Sequence, residues 1–125
     1  MTPSVLRPVV WIGSAHKDYC EFPDEVQDDL GYRLYRVQMG AADVPNARPL
    51  SQGVLKGLGI VELADHHDTD TFRAVYTTKL AGVIYVLHAF KKKSTRGIAT
   101  PQHEIELIRA RYEAALRHHQ RTCGN

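Results

Sequence analysis

The 125 residues are 43% hydrophobic and 24% charged, with 16 Lys+Arg against 14 Asp+Glu for a formal net charge of +2. That length suits one domain, residues 1–125 with a core over about 9–116, able to bury about two thirds of its unfolded surface without disulfides or a structural metal. Two cysteines without CxxC spacing, no run near the roughly 20 apolar residues of a membrane span, and an N-terminus broken by Arg7 and two prolines where a signal peptide needs an apolar run all predict a cytoplasmic protein.

In chain order, Pro8–Ile12 reads as a first strand ended by Gly13, and Ser14 as the cap of a short helical turn. Phe22, Val26, Leu30, Leu34 and Val37 recur at helical spacing and stop at Gly40. Asp24, Glu25, Asp28 and Asp29 precede Arg33 and Arg36, an order that suits the helix dipole and marks this helix as scaffold. Residues 41–58 are rich in Pro, Gly and small side chains and read as loop, with Lys56 just ahead of a strand over Ile60–Leu63. The run Asp65-His66-His67-Asp68-Thr69-Asp70 reads as a connection; it lacks the ligand spacing of a metal site, and none is assigned.

Residues 71–103 stand apart electrostatically. They contain no carboxylate but carry Arg73, Lys79, Lys91, Lys92, Lys93 and Arg96, so the other ten cations face all fourteen acids. A +6 segment in a −4 frame predicts a polyanionic partner. Thr71–Thr78 and Val83–Phe90 have strand composition, with Leu80-Ala81-Gly82 as a turn between them. Strict alternation places Phe72, Ala74 and Tyr76 on one face and Arg73 and Val75 on the other. On the second strand it groups Tyr85, Leu87, Ala89 and Lys91 against Ile84, Val86, His88, Phe90 and Lys92. Arg73, His88 and the lysines could thus form a basic floor. Thr100-Pro101 then starts a last helix whose apolar stripe is Ile105, Ile108, Tyr112, Ala115 and Leu116. The order predicts an α+β domain, a small antiparallel sheet with helices packed on one side.

The segments FPDEVQDDLGYRLYRVQMG, KGLGIVELAD, FRAVYT, the strand through LHAFKKK, and GIATPQHEIELIRARYEAA come in an order and spacing that resembles the HigB-like, phage-derived branch of the RelE/ParE toxin superfamily, from about Val9 to Ala115. The resemblance implies an endoribonuclease that cuts messenger RNA on the ribosome, with no cofactor or metal, and a cognate helix-turn-helix antitoxin that neutralises it. It also implies site residues. Arg73 matches the strand arginine that stabilises the phosphate, and His88, Lys91 and Lys92 match the basic end of the last strand, with the general base left between His88 and a lysine. Lys56, Lys93 and Arg96 would bind RNA. Two other classes stay open: a ParE-like gyrase poison acting by protein contact, and a non-catalytic nucleic-acid-binding module whose lysines only neutralise phosphate.

Overall fold

A computed structural model describes residues 6–93 and 100–123. Its elements are β1 (Val9–Trp11), α1 (Ala15–Cys20), α2 (Asp24–Gln38), β2 (Ala47–Leu50), a 3-10 turn (Gly53–Leu55), β3 (Ile60–His67), β4 (Asp70–Thr77), β5 (Ile84–Lys93) and α3 (Gln102–Cys123). The strands form one sheet in the order β1-β5-β4-β3-β2. The α+β class holds, with five strands and three helices. Four neighbouring strands are antiparallel, and β1 adds a parallel edge to β5.

The helices do not share one side, which corrects the expectation. The face carrying Leu63, Phe72, Ala74, Tyr76, Ile84 and Val86 packs under α1 and α2 through Ala15, Val26, Leu30, Leu34 and Val37. The opposite face, with Ile60, Val75, Tyr85 and Leu87, packs under α3 through Ile105, Ile108, Tyr112 and Ala115. The reason is visible in β4, where residues 71–77 are buried on both pleats and each apolar side needs its own cover. Leu30, Ile108 and their like are fully buried, each stabilising the fold by about 1.5–3 kcal/mol.

Two further corrections reposition the site. The segment 41–58, expected as loop, contributes β2, whose Arg48 pairs in register with Glu62; Pro49 disguises it, and an edge strand tolerates that proline because one row of its backbone groups is unpaired. The acidic-histidine run does not loop out. Strand β3 continues through His67 and turns at Asp68–Thr69, with Asp68 at φ 56. Asp is among the few residues that accept that left-handed conformation in a two-residue hairpin.

The β4–β5 pair contains a bulge. Tyr76 faces Val86 but Val75 faces His88, so Leu87 is extra on β5. One added residue reverses the alternation beyond it. Leu87, His88 and Phe90 therefore lie toward α3, whereas Ala89 joins Ile84 and Val86 under α1 and α2. Simple alternation had grouped Leu87 with Ala89, and the bulge separates them. Arg33 is also buried, donating to the carbonyls of Pro45 (2.9 Å) and Ala64 (2.8 Å) and to Asp29 (2.6 Å). It clamps the approach to β2 and the middle of β3 onto α2.

Candidate functional site

Rows of residues opposite one another across β3, β4 and β5 organise the α3 side of the sheet. Glu62 faces Val75 and then His88; Ala64 faces Arg73 and then Phe90; His66 faces Thr71 and then Lys92. Strand geometry puts the first and last rows about 13 Å apart, with neighbours in a row about 5 Å apart. Strand β2 extends the first row with Arg48.

Glu62 is the anchor of this surface. It is 1% exposed, a charge that must be compensated to be buried. Both its oxygens accept from Arg73 Nη1 at 3.0 Å, Oε1 accepts from Arg48 Nε and Nη2 at 3.2 and 3.1 Å, and Oε2 accepts from the Thr100 hydroxyl at 3.2 Å. Thr100 thus spends its hydroxyl on Glu62, while the Pro101 carbonyl opens α3 by accepting from Glu104 N and Ile105 N. The hydroxyl just ahead of α3 therefore ties that helix to the sheet. Two guanidinium groups around one carboxylate leave this triad at net +1.

Beside it is a cavity of about 320 Å³ lined by Arg48, Glu62, His66 and Arg73, with Asn46 and Ala47 at its β2 edge. His66 is exposed, and its Nδ1 lies 3.0 Å from Thr71 Oγ1. A larger hollow of about 590 Å³ is bordered by Asp18, Glu21, Asp68 and Asp70. Among the described residues its rim is negative, with Lys91 the lone Lys or Arg in the lining. A polyanion is repelled there and attracted to the smaller cavity, so size does not select the site.

The expected site residues divide between these places. Arg73 lines the cationic cavity, but it is 5% exposed and held by Glu62; it belongs to the fold as well as to the cavity. Lys92 shares the row of His66 and Thr71. Lys91 faces Phe72, which belongs to the α1–α2 side, and its Nζ lies 3.8 Å from Asp70. Lys56 sits at the end of the 3-10 turn, next to Gly57, whose carbonyl accepts from Lys79. That is the Thr77 end of the sheet, away from Lys92, so the structure does not bring Lys56 into the group. Lys93 is placed only by its backbone register opposite Asp70, and Arg96 lies outside the described residues.

His88 occupies a network of its own. Arg111 Nη1 approaches Nδ1 at 3.2 Å and the Leu87 carbonyl at 3.1 Å, and Glu104 Oε1 lies 2.7 Å from Nε2. Arg111 only donates, so Nδ1 accepts, and Nε2–H donates to Glu104. Arg111 Nη2 also donates to Ser14 Oγ, which donates to Asp18. Burial pushes the His88 imidazole below its ordinary value, Glu104 pulls it back upward through hydrogen bond and charge, and Arg111 adds to the lowering. The ring is neutral, stacked on Phe90 with centroids 4.7 Å apart, and both nitrogens are engaged. This arrangement ties α1, the bulge and α3 together.

Sequence reasoning passed over Arg48, Glu62, His66 and Thr71. A signal for Glu62 was present: an acid inside the apolar run Ile60-Val61-Glu62-Leu63 demands a buried cation, and the neighbouring strand's Arg73 is one. Nothing local could reveal Arg48, because its strand was concealed.

The family model described as "Phage derived protein Gp49-like (DUF891)" matches residues 17–113. No curated protein matches the chain. Among solved structures, a chain of the toxin–antitoxin complex RelBE2 from Mycobacterium tuberculosis is similar at 13% identity, with a TM-score of 0.47; the match covers 70% of this chain and 100% of that one.

Proposed function

We propose that this chain, which belongs to the phage-derived Gp49-like family, is the toxin of a type II toxin–antitoxin pair and an endoribonuclease that cleaves messenger RNA on the ribosome. The observation that carries the reading is the cationic cavity on the α3 side of the sheet, where Arg48 and Arg73 surround a single carboxylate and Lys92 lies two rows away. Cleavage of RNA by its own 2′-hydroxyl needs a proton acceptor, fixed positive charge near the phosphorane-like transition state and a proton for the departing 5′-oxygen. It asks for no cofactor, because the nucleophile belongs to the substrate. Arginine suits the charge-stabilising role because its planar fork matches phosphate oxygens and does not lose its proton. The ordered sequence resemblance to HigB-like toxins points the same way and supplies the partner, a cognate helix-turn-helix antitoxin, and the ribosome as the place of action.

The test is induction of the chain in a bacterial host with transcriptome-wide mapping of RNA 5′ ends, followed by cleavage on purified ribosomes programmed with a defined message. Growth arrest with new 5′ ends at codon-phased positions, relieved by coexpression of the antitoxin, is expected. Arrest with DNA damage and no new 5′ ends would overturn the reading in favour of a gyrase poison.

A further inference from the structure

We propose that His66, not His88, is the proton acceptor for the attacking 2′-hydroxyl, working in the cavity it shares with Arg48 and Arg73; the inference rests on the nuclease reading above. The two histidines are built for different tasks. His88 is 5% exposed with both ring nitrogens engaged, and it borders the acid-rimmed hollow. His66 is exposed, lines the cationic cavity, and has one ring nitrogen held by a hydroxyl. When Nδ1–H donates to Thr71 Oγ1, the lone pair is on Nε2, the form a general base requires. Holding one nitrogen to define the other is the usual way a protein fixes an imidazole's tautomer.

The surrounding charge suits a phosphodiester. Arg48 lines the same cavity as His66, and Lys92 stands in His66's own row with Thr71 between them. In the step itself, His66 Nε2 takes the 2′-hydroxyl proton as the 2′-oxygen bonds to phosphorus. The phosphorus–O5′ bond breaks, and the leaving oxygen takes a proton from water. The products are a 2′,3′-cyclic phosphate and a 5′-hydroxyl end. The imidazolium returns its proton to solvent, and no electrons change hands. Arg48 is the charge stabiliser, and Thr71 is a positioning residue that acts through His66. Glu62 orients both arginines and leaves them a net positive charge.

The experiment is single-turnover cleavage on programmed ribosomes by the wild type and by His66→Gln, His88→Gln, Thr71→Val and Thr71→Ser, with ribosome binding measured by co-sedimentation. His66→Gln should cut the rate by about 100-fold or more with binding unchanged. Thr71→Val should lower the rate constant but not the half-saturating ribosome concentration, and Thr71→Ser should restore it, a pattern that a purely structural role would not give. His88→Gln, assayed below its melting temperature, should stay within a few-fold of wild type. A His66→Gln rate within a few-fold of wild type overturns the inference and leaves the nuclease reading standing. A wild type that cuts no message on ribosomes overturns both.

Discussion

Replacing Arg73 with methionine keeps most of the side chain's length and removes its charge from beside a carboxylate that is 1% exposed. Breaking a buried ion pair from one side costs about 3–5 kcal/mol, since the remaining charge stays buried without its partner. Here Arg48 still holds Oε1 through two N–H groups and Thr100 still donates to Oε2, so the expected loss falls to about 2–3 kcal/mol. At about 2.1 cal/mol/K of unfolding entropy per residue, 125 residues give roughly 0.26 kcal/mol/K, and Tm should drop by about 8–11 °C. Urea unfolding should show the same loss as a lower midpoint with an unchanged slope. Adding Glu62→Gln removes the stranded charge, so the double variant should recover at least about 1 kcal/mol relative to the sum of the singles. An Arg73→Met protein melting within about 2 °C of wild type would refute the idea that Glu62 depends on Arg73. The expected drop also sets a rule for activity assays: a loss of toxicity in an Arg73 variant says nothing about chemistry unless the variant is folded at the assay temperature.

The two lysines at the end of β5 should separate in RNA binding: Lys92→Ala should reduce the salt dependence of single-stranded RNA binding by about 0.7 of a log unit per decade, and Lys91→Ala, on the other face beside Asp70, should leave it unchanged. For His88, a folded value below the ordinary 6.5 means that the unfolded chain binds the proton more readily, so its contribution to stability is fully present above about pH 6.5 and is lost as pH falls toward the folded value. His88→Gln should flatten that acid limb in thermal melts at pH 5 to 7, and an unchanged limb would place the titration elsewhere. At Gly13, with φ +60, an added Cβ would meet Arg111 Nε at 2.8 Å, so Gly13→Ala should destabilise by about 1–2 kcal/mol and weaken the Arg111 tie to His88; a neutral melt would refute that. Burial and then the charge of Asp29 raise the Asp65 carboxyl, so Asp65→Asn should raise Tm at pH 7 and lose that advantage at pH 3, where the carboxyl is protonated in both states.

Periodicity and turn chemistry were enough for the helices, which each bury a single stripe, and for one face of β4. Val26, Leu30, Leu34 and Val37 marked α2, Ile105, Ile108 and Tyr112 marked α3, and the alternation of β4 placed Phe72, Ala74 and Tyr76 together. The separation of a +6 segment from an acidic remainder was also a property of the chain alone. Tertiary structure decided the rest, because those features are pairings between distant residues. Pro49 hid β2, and only its register against β3 brings Arg48 to Glu62. Leu87 looks like any other strand leucine, and its extra position shows only against β4, where it reverses the faces of Ala89 and Lys91. His66 and His67 adjoin in sequence but point to opposite pleats, and only the folded sheet brings His66 to Thr71, Arg48 and the cavity. A one-dimensional pattern records which side chains alternate. It does not record which strand lies opposite, and in a sheet covered on both faces that neighbour determines whether a charge is buried in a pair or offered to a ligand.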